Sequence, residues 1–320
     1  MNIEAIIIVL GEPYSTFSEI IGKYFSKTNK FKKKIILIGN KKLLKTQLKQ
    51  LNYNLNLNEI NKYEEAKKNL LNIIDIKFKY KKTFSKISTK SNDYIENCFS
   101  KSLEIIKNQK NKCILINGPI SKKAFLKKKY SGITEYLSQK TNSKDEIMLI
   151  YNNNISVSPL TTHIPIKFVN NKIKKNKIYK NILSLEKFYT TILKQKFKCA
   201  ILGLNPHCET TDKFSEEEKI IIPSIKNLKK RGIKVDGPFS ADTFFLENNI
   251  KKYNIVIGMY HDQVLTPIKT LFKFNAINLT IGLPFLRISP DHGPNSKMLG
   301  KNLTDPSSFF YAMNFANKIR

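Results

Sequence analysis

The sequence holds four histidines, and three of them follow runs of β-forming residues: His163 in PLTTHIPIKF, His207 in GLNPHCE and His261 in GMYHDQ. Neutral imidazole nitrogens are ligands for a catalytic divalent cation, and three that converge leave a coordination position open for substrate. Spacing alone leaves two readings open: one shared metal, or three separate loop histidines, each satisfied by a local hydrogen bond. Asp242 in GPFSADTFF and Asp262 beside His261 are of the type that accepts a hydrogen bond from the second ring nitrogen of a ligating imidazole and so fixes its tautomer. Asp242 has a competing use as the cap of a helix after it. Downstream, Lys269, Asn278 and Arg287 lie near an expected strand at 276–281 and offer two cations and an amide, the donors a phosphate or carboxylate needs. The chain takes most of its positive charge from lysine, so an arginine at 287 points to a planar fork more than to bulk charge.

Such residues work only if strand ends coincide. Short β-rich runs alternate with amphipathic stretches: AIIIVL then TFSEIIGKYF, KIILIG then KKLLKTQLKQL, KCILIN then SKKAFLKKKY, KCAILGL then EEEKIIIPSIKNLKKRG. Strand followed by helix, repeated, predicts an α/β fold with a largely parallel sheet covered on both faces. DEIMLIYNNNISVSPL reads as a hairpin around an Asn-rich turn. A long polar helix is expected over residues 171–196, and loop with one helix over residues 52–92. The segments GEP, NGPISK, LNPH and YHDQ each follow a strand, and ligands in open α/β sheets bind outside the carboxyl ends of strands.

At 320 residues and 41% hydrophobic, the chain has enough apolar material for one large or two ordinary domains. The net charge of +31 is spread over nearly every segment, with no basic stretch interleaved with aromatics, which argues for a solvated lysine-rich surface and against a nucleic-acid partner. Cys98, Cys113, Cys199 and Cys208 have no CxxC spacing and read as reduced thiols of a cytoplasmic protein. The N-terminal apolar run is too short to span a bilayer, so no membrane partner is expected.

In order, GEP, NGPISK, GITEYL, TTHIP, GLNPH, DGPFSADTFF, MYHDQVLTPIK and INLTIGLPFLRISPDHG resemble the PdxA family of 4-hydroxythreonine-4-phosphate dehydrogenases over nearly the whole chain. The resemblance implies a metal held by His163, His207 and His261, and substrate contacts at Thr134, Lys269, Asn278 and Arg287. It implies zinc, magnesium or cobalt as the metal and NAD or NADP as the hydride acceptor. The implied substrate is a small phosphorylated amino acid, 4-phosphohydroxy-L-threonine, oxidised and then decarboxylated in pyridoxal 5'-phosphate biosynthesis. The implied fold is that of the isocitrate and isopropylmalate dehydrogenases: two α/β/α domains, approximately 1–130 with 275–320 and 131–274, an active site in the cleft between them, and a homodimer that completes it. The missing GxGxxG stretch agrees with such dehydrogenases, which bind NAD outside the Rossmann pattern.

Three segments depart from the family. Ile133 in GITEY stands where the family has a histidine, CETTDKFSEEE replaces a Gly-rich run after NPH, and GEPYSTF replaces GEPAGIG. Two rival functions remain: a sister dehydrogenase for another phosphorylated four-carbon hydroxy acid, and a three-histidine metal hydrolase, which would consume no NAD.

Overall fold

The runs AIIIV and CILIN lack apolar–polar alternation because parallel strands are covered on both faces. They form β1 (Ala5–Val9) and β5 (Cys113–Asn117), every residue of which is buried. The computed structural model describes residues 3–319 except 29, 111, 127–129, 131, 209–214, 274, 291 and 292. It divides into two units, Met1–Ser143 with Leu283–Arg320, and Lys144–Gly282.

In the first unit β1 and β5 are joined by β2 (Lys34–Gly39), β3 (Leu57–Glu59), β4 (Leu71–Asp75) and β12 (Leu286–Ser289) in the order β3-β4-β2-β1-β5-β12. All the pairings are parallel. Alternate residues Ala5, Ile7 and Val9 of β1 pack with Ile95, Cys98 and Phe99 of the helix Asn92–Asn108. Phe17 and Tyr24 of the helix Phe17–Phe25 meet Phe309 of the C-terminal helix Ser307–Lys318 edge to face, with centroids 5.4 and 5.3 Å apart. Asn40 caps the helix Lys41–Gln50, its Oδ1 accepting from Leu43 N at 2.9 Å.

Residues 52–92 correct the expectation of loop and helix. They carry β3 and β4, and the segment holds no α-helix until the one that begins at its last residue, Asn92. The apolar signal of β4 is interrupted by Asn72, which is fully buried yet satisfied. Its side chain accepts from Asn58 Nδ2 at 2.9 Å and donates to Ile35 O at 3.0 Å, so a polar residue serves as a strand core position.

The second unit orders its strands β11-β6-β7-β10-β8-β9: β6 (Ile147–Tyr151), β7 (Ser156–Pro159), β8 (Cys199–Leu202), β9 (Val235–Phe239), β10 (Ile255–Gly258) and β11 (Ile277–Ile281). β6 and β7 form the expected antiparallel hairpin, closed by Asn152 Oδ1 accepting from Asn154 N at 2.8 Å. β7, β10, β8 and β9 are parallel, so their carboxyl ends share one edge. The single helix expected over 171–196 is broken: Val169–Lys172 and Lys175–Lys187 are separated by Ile173 and Lys174 in extended conformation, and a wider turn, Phe188–Leu193, ends at left-handed Lys194. Ile173, at this break, is completely buried. Among the described residues no helix is long and apolar enough to cross a membrane.

Candidate metal and substrate site

β7, β10 and β8 are neighbours, and each delivers one imidazole just past its carboxyl end: His163 after β7, His261 after β10 and His207 after β8. Three elements far apart in sequence therefore present the same donor at one sheet edge. The rings of His163 and His261 have centroids 5.8 Å apart. With metal–nitrogen bonds of about 2.1 Å, two rings on one ion have centroids on the order of 5 Å apart, so the spacing of this pair is close to that of two rings on a shared ion. His207 is 72% exposed and faces Asp242, with Nδ1 to Oδ2 at 3.9 Å. As the side chains stand, no three His, Cys, Asp or Glu among the described residues are grouped tightly enough to hold a cation.

The backbone and the partners of these histidines nevertheless fit a metal. His163 and His207 have φ of 52° and 57°, a left-handed conformation that ordinary residues adopt at a cost and that recurs at ligand clamps. Asp262 lies 2.6 Å from His261, Oδ1 to Nδ1, an arrangement that puts the ring proton on Nδ1 and leaves Nε2 as a ligand. Asp242 is held differently. The helix Ala241–Phe244 has Ser240 at its N-cap and Asp242 inside its first turn, where the Ser240 hydroxyl donates to the carboxylate and helps to hold its pKa below the ordinary value. The alternative of Asp242 at the capping position is thereby corrected.

Of the substrate candidates, Lys269 is exposed near the end of the helix His261–Phe272, whose interior Pro267 cannot donate a helical hydrogen bond. Asn278 lies on β11, and its buried Oδ1 has no hydrogen-bond partner among the described residues. A buried amide oxygen without a donor costs about 1–3 kcal/mol and is expected where a ligand supplies the donor.

In the first unit Arg287 is 1% exposed on β12. Its Nε donates to Asn117 Oδ1 at 2.8 Å, and its Nη1 to Thr134 Oγ1 at 2.9 Å. Burial pushes its pKa down to about 10 against the opposing pull of Glu135, so the guanidinium stays charged at neutral pH. Thr134 occupies the first turn of the helix Ile133–Lys140, while Ile133 is partly buried against the core cluster of this unit. Sequence reading gives no role to Asn117 or Glu135. Their only signal is position, Asn117 opening NGPISK at the end of β5 and Glu135 inside GITEYL.

The family described as pyridoxal phosphate biosynthetic protein PdxA matches residues 31–316. The chain belongs to the PdxA family. A 4-hydroxythreonine-4-phosphate dehydrogenase from Sulfurihydrogenibium is 36% identical to it over 97% of this chain and 96% of that one. A D-threonate 4-phosphate dehydrogenase from Salmonella typhimurium is 29% identical over 92% of each. A crystal structure of a 4-hydroxythreonine-4-phosphate dehydrogenase from Burkholderia phymatum superposes with a TM-score of 0.79 at 26% identity, covering 99% of this chain and 98% of that one. By family the protein is an oxidoreductase of pyridoxal phosphate biosynthesis with the PdxA α/β fold.

Proposed function

We propose that this PdxA protein oxidises 4-phosphohydroxy-L-threonine with NAD or NADP to 2-amino-3-oxo-4-phosphooxybutyrate, which loses carbon dioxide to give 3-amino-2-oxopropyl phosphate. The observation that carries the reading is the delivery of His163, His261 and His207 from the ends of three adjacent parallel strands, with Asp262 on the second nitrogen of His261. A zinc, magnesium or cobalt ion bound by these three side chains supplies Lewis-acid polarisation of the substrate hydroxyl. Asp262 keeps the His261 proton on Nδ1. Arg287 binds an anionic group of the substrate as a charged fork, and because its Nη1 already donates to Thr134 Oγ1, the threonine hydroxyl hydrogen is directed away from Arg287, toward the same kind of acceptor. Lys269 adds a point charge, and Asn278 Oδ1 accepts from the substrate's ammonium or hydroxyl. We extend the proposal to a cytoplasmic homodimer, in keeping with the family resemblance.

The second reading is oxidation of D-threonate 4-phosphate, favoured by Ile133 in place of the family's histidine and by the Salmonella typhimurium relative. One assay separates them: reduction of NAD and of NADP by purified protein with each substrate, with and without a chelator. The first reading requires chelator-sensitive turnover of 4-phosphohydroxythreonine with carbon dioxide release. Turnover of D-threonate 4-phosphate alone replaces it with the second, and substrate hydrolysis without nucleotide reduction overturns both.

A further inference from the structure

The loops that carry the three histidines are pinned to one another by two side chains. The β7–β10 ladder runs on past its last strand residues through Leu160 N to Gly258 O at 2.7 Å. Beyond that rung Thr161 Oγ1 donates to Met259 O at 2.7 Å. On the other side of the same residue, Gln263 Oε1 accepts from Met259 N at 2.7 Å, and its Nε2 donates to Gly203 O at 2.7 Å. Met259 is completely buried, and both of its peptide groups are engaged by side chains. β8 and β10 pair directly only as far as Ile201 with Ile257. The Gln263 amide then stands in for a missing peptide group, spanning the next gap with one donor and one acceptor. It thus sets how far the two strand ends diverge.

We propose that Gln263 and Thr161 are positioning residues that fix the spacing of the three imidazoles, a role that rests on the three-histidine metal reading. His163 lies two residues beyond Thr161, His261 two beyond Met259 and His207 four beyond Gly203, so each pinned residue precedes a ligand-bearing one by two to four positions. Space at the two strand ends is already used: a Cβ at Gly203 would lie 2.6 Å from Cys208 Sγ, and one at Gly258 would lie 2.5 Å from Val264 Cγ1 and 3.1 Å from Gln263 Oε1. The far side of the β8 loop is held as well, since Glu217 Oε1 accepts from Leu204 N at 2.7 Å and from Asn205 N at 2.9 Å. The rim of the site is therefore a chain of hydrogen bonds running Thr161, Met259, Gln263, Gly203, with Glu217 anchoring the residues that follow. Rigid spacing matters because a ligand that must be reoriented on binding surrenders part of its affinity to that ordering.

The test is Co2+ titration of the chelator-stripped full-length protein by calorimetry, with the visible spectrum of the cobalt-loaded form and the melting temperature of the metal-free form as companion readouts. Gln263→Met keeps the length and removes both bonds; Thr161→Val keeps the shape and removes one, and Thr161→Ser restores it. Expected are a roughly ten- to hundred-fold weaker Co2+ Kd and an altered cobalt spectrum in Gln263→Met and Thr161→Val, wild-type values in Thr161→Ser, and a lower metal-free melting temperature in the first two, whose buried peptide groups lose their partners. Wild-type affinity and spectrum in both Gln263→Met and Thr161→Val, while His261→Ala has lost the metal, overturn the positioning role and leave the histidine reading intact. Retention of the metal by His261→Ala overturns both. If Gln263→Met does not fold, the Thr161 pair decides.

Discussion

Arg287 and Thr134 form one donor unit: Nη1 of the buried guanidinium donates a hydrogen bond to the threonine oxygen across 2.9 Å. The arginine is no surface charge, and whatever replaces it must satisfy Asn117 Oδ1 as well.

Arg287→Lys therefore loses the fork in both directions. A lysine ammonium cannot reach Asn117 and Thr134 with the same planar geometry, and the charge-assisted bonds at stake are worth about 1.5–3 kcal/mol. The expected result is a roughly ten- to hundred-fold fall in kcat/KM together with a lower melting temperature. Steady-state kinetics and thermal unfolding on the same preparation check it, and unchanged kinetics would remove Arg287 from substrate binding.

Metal should stabilise the folded chain through the histidines. A ligand at about a hundred times its Kd adds about 2.7 kcal/mol to stability by mass action. Wild type should show that gain as a metal-dependent rise in melting temperature that a chelator reverses, and His207→Ala should show neither the rise nor turnover. Melting curves with and without added metal decide it.

Glu217 gives a pH prediction. Burial alone would raise its pKa, but the hydrogen bonds from Asn205 and Leu204 outweigh that and hold it below the ordinary value of 4.5. A carboxylate whose folded pKa is depressed contributes stability above its unfolded pKa and loses it as pH falls through the folded value. Glu217→Gln should thus cost about 1–3 kcal/mol at pH 7 and melt with a flatter pH dependence below 4.5 than wild type. Melting temperature against pH for the two proteins is the measurement.

Ile133→His tests the departure from the family. Ile133 packs against the first unit's core, so a histidine there should lower stability by about 1–3 kcal/mol. Under the first substrate reading kcat/KM for 4-phosphohydroxythreonine changes little. A gain of about ten-fold or more from a poor wild type would instead favour D-threonate 4-phosphate as the natural substrate.

Legibility in the sequence followed burial. β1, β5, β8 and β10 stood out because strands covered on both faces are unbroken apolar runs, and the punctuation after them marks the carboxyl edge. β3 and β4 did not stand out, since Asn72 is a core residue only once Asn58 and Ile35 are folded around it. For the site, the positions of the histidines at strand ends could be read locally. That β10 lies between β7 and β8 could not, and the bonds of Gln263 to Gly203 and of Thr161 to Met259 exist only in that order. The buried state of Arg287 was equally hidden, because it depends on β12 pairing with β5 from the far end of the chain.

The late insertion of β10 also has a consequence during synthesis. β7 and β8 leave the ribosome well before the strand that belongs between them, so each carries an unpaired edge until Gly258 has emerged. Unpaired edges of this kind are where nascent chains associate with each other. The histidine edge is consequently one of the last parts of the second unit to assemble, and a chain truncated before residue 255 would lack both the central strand and His261.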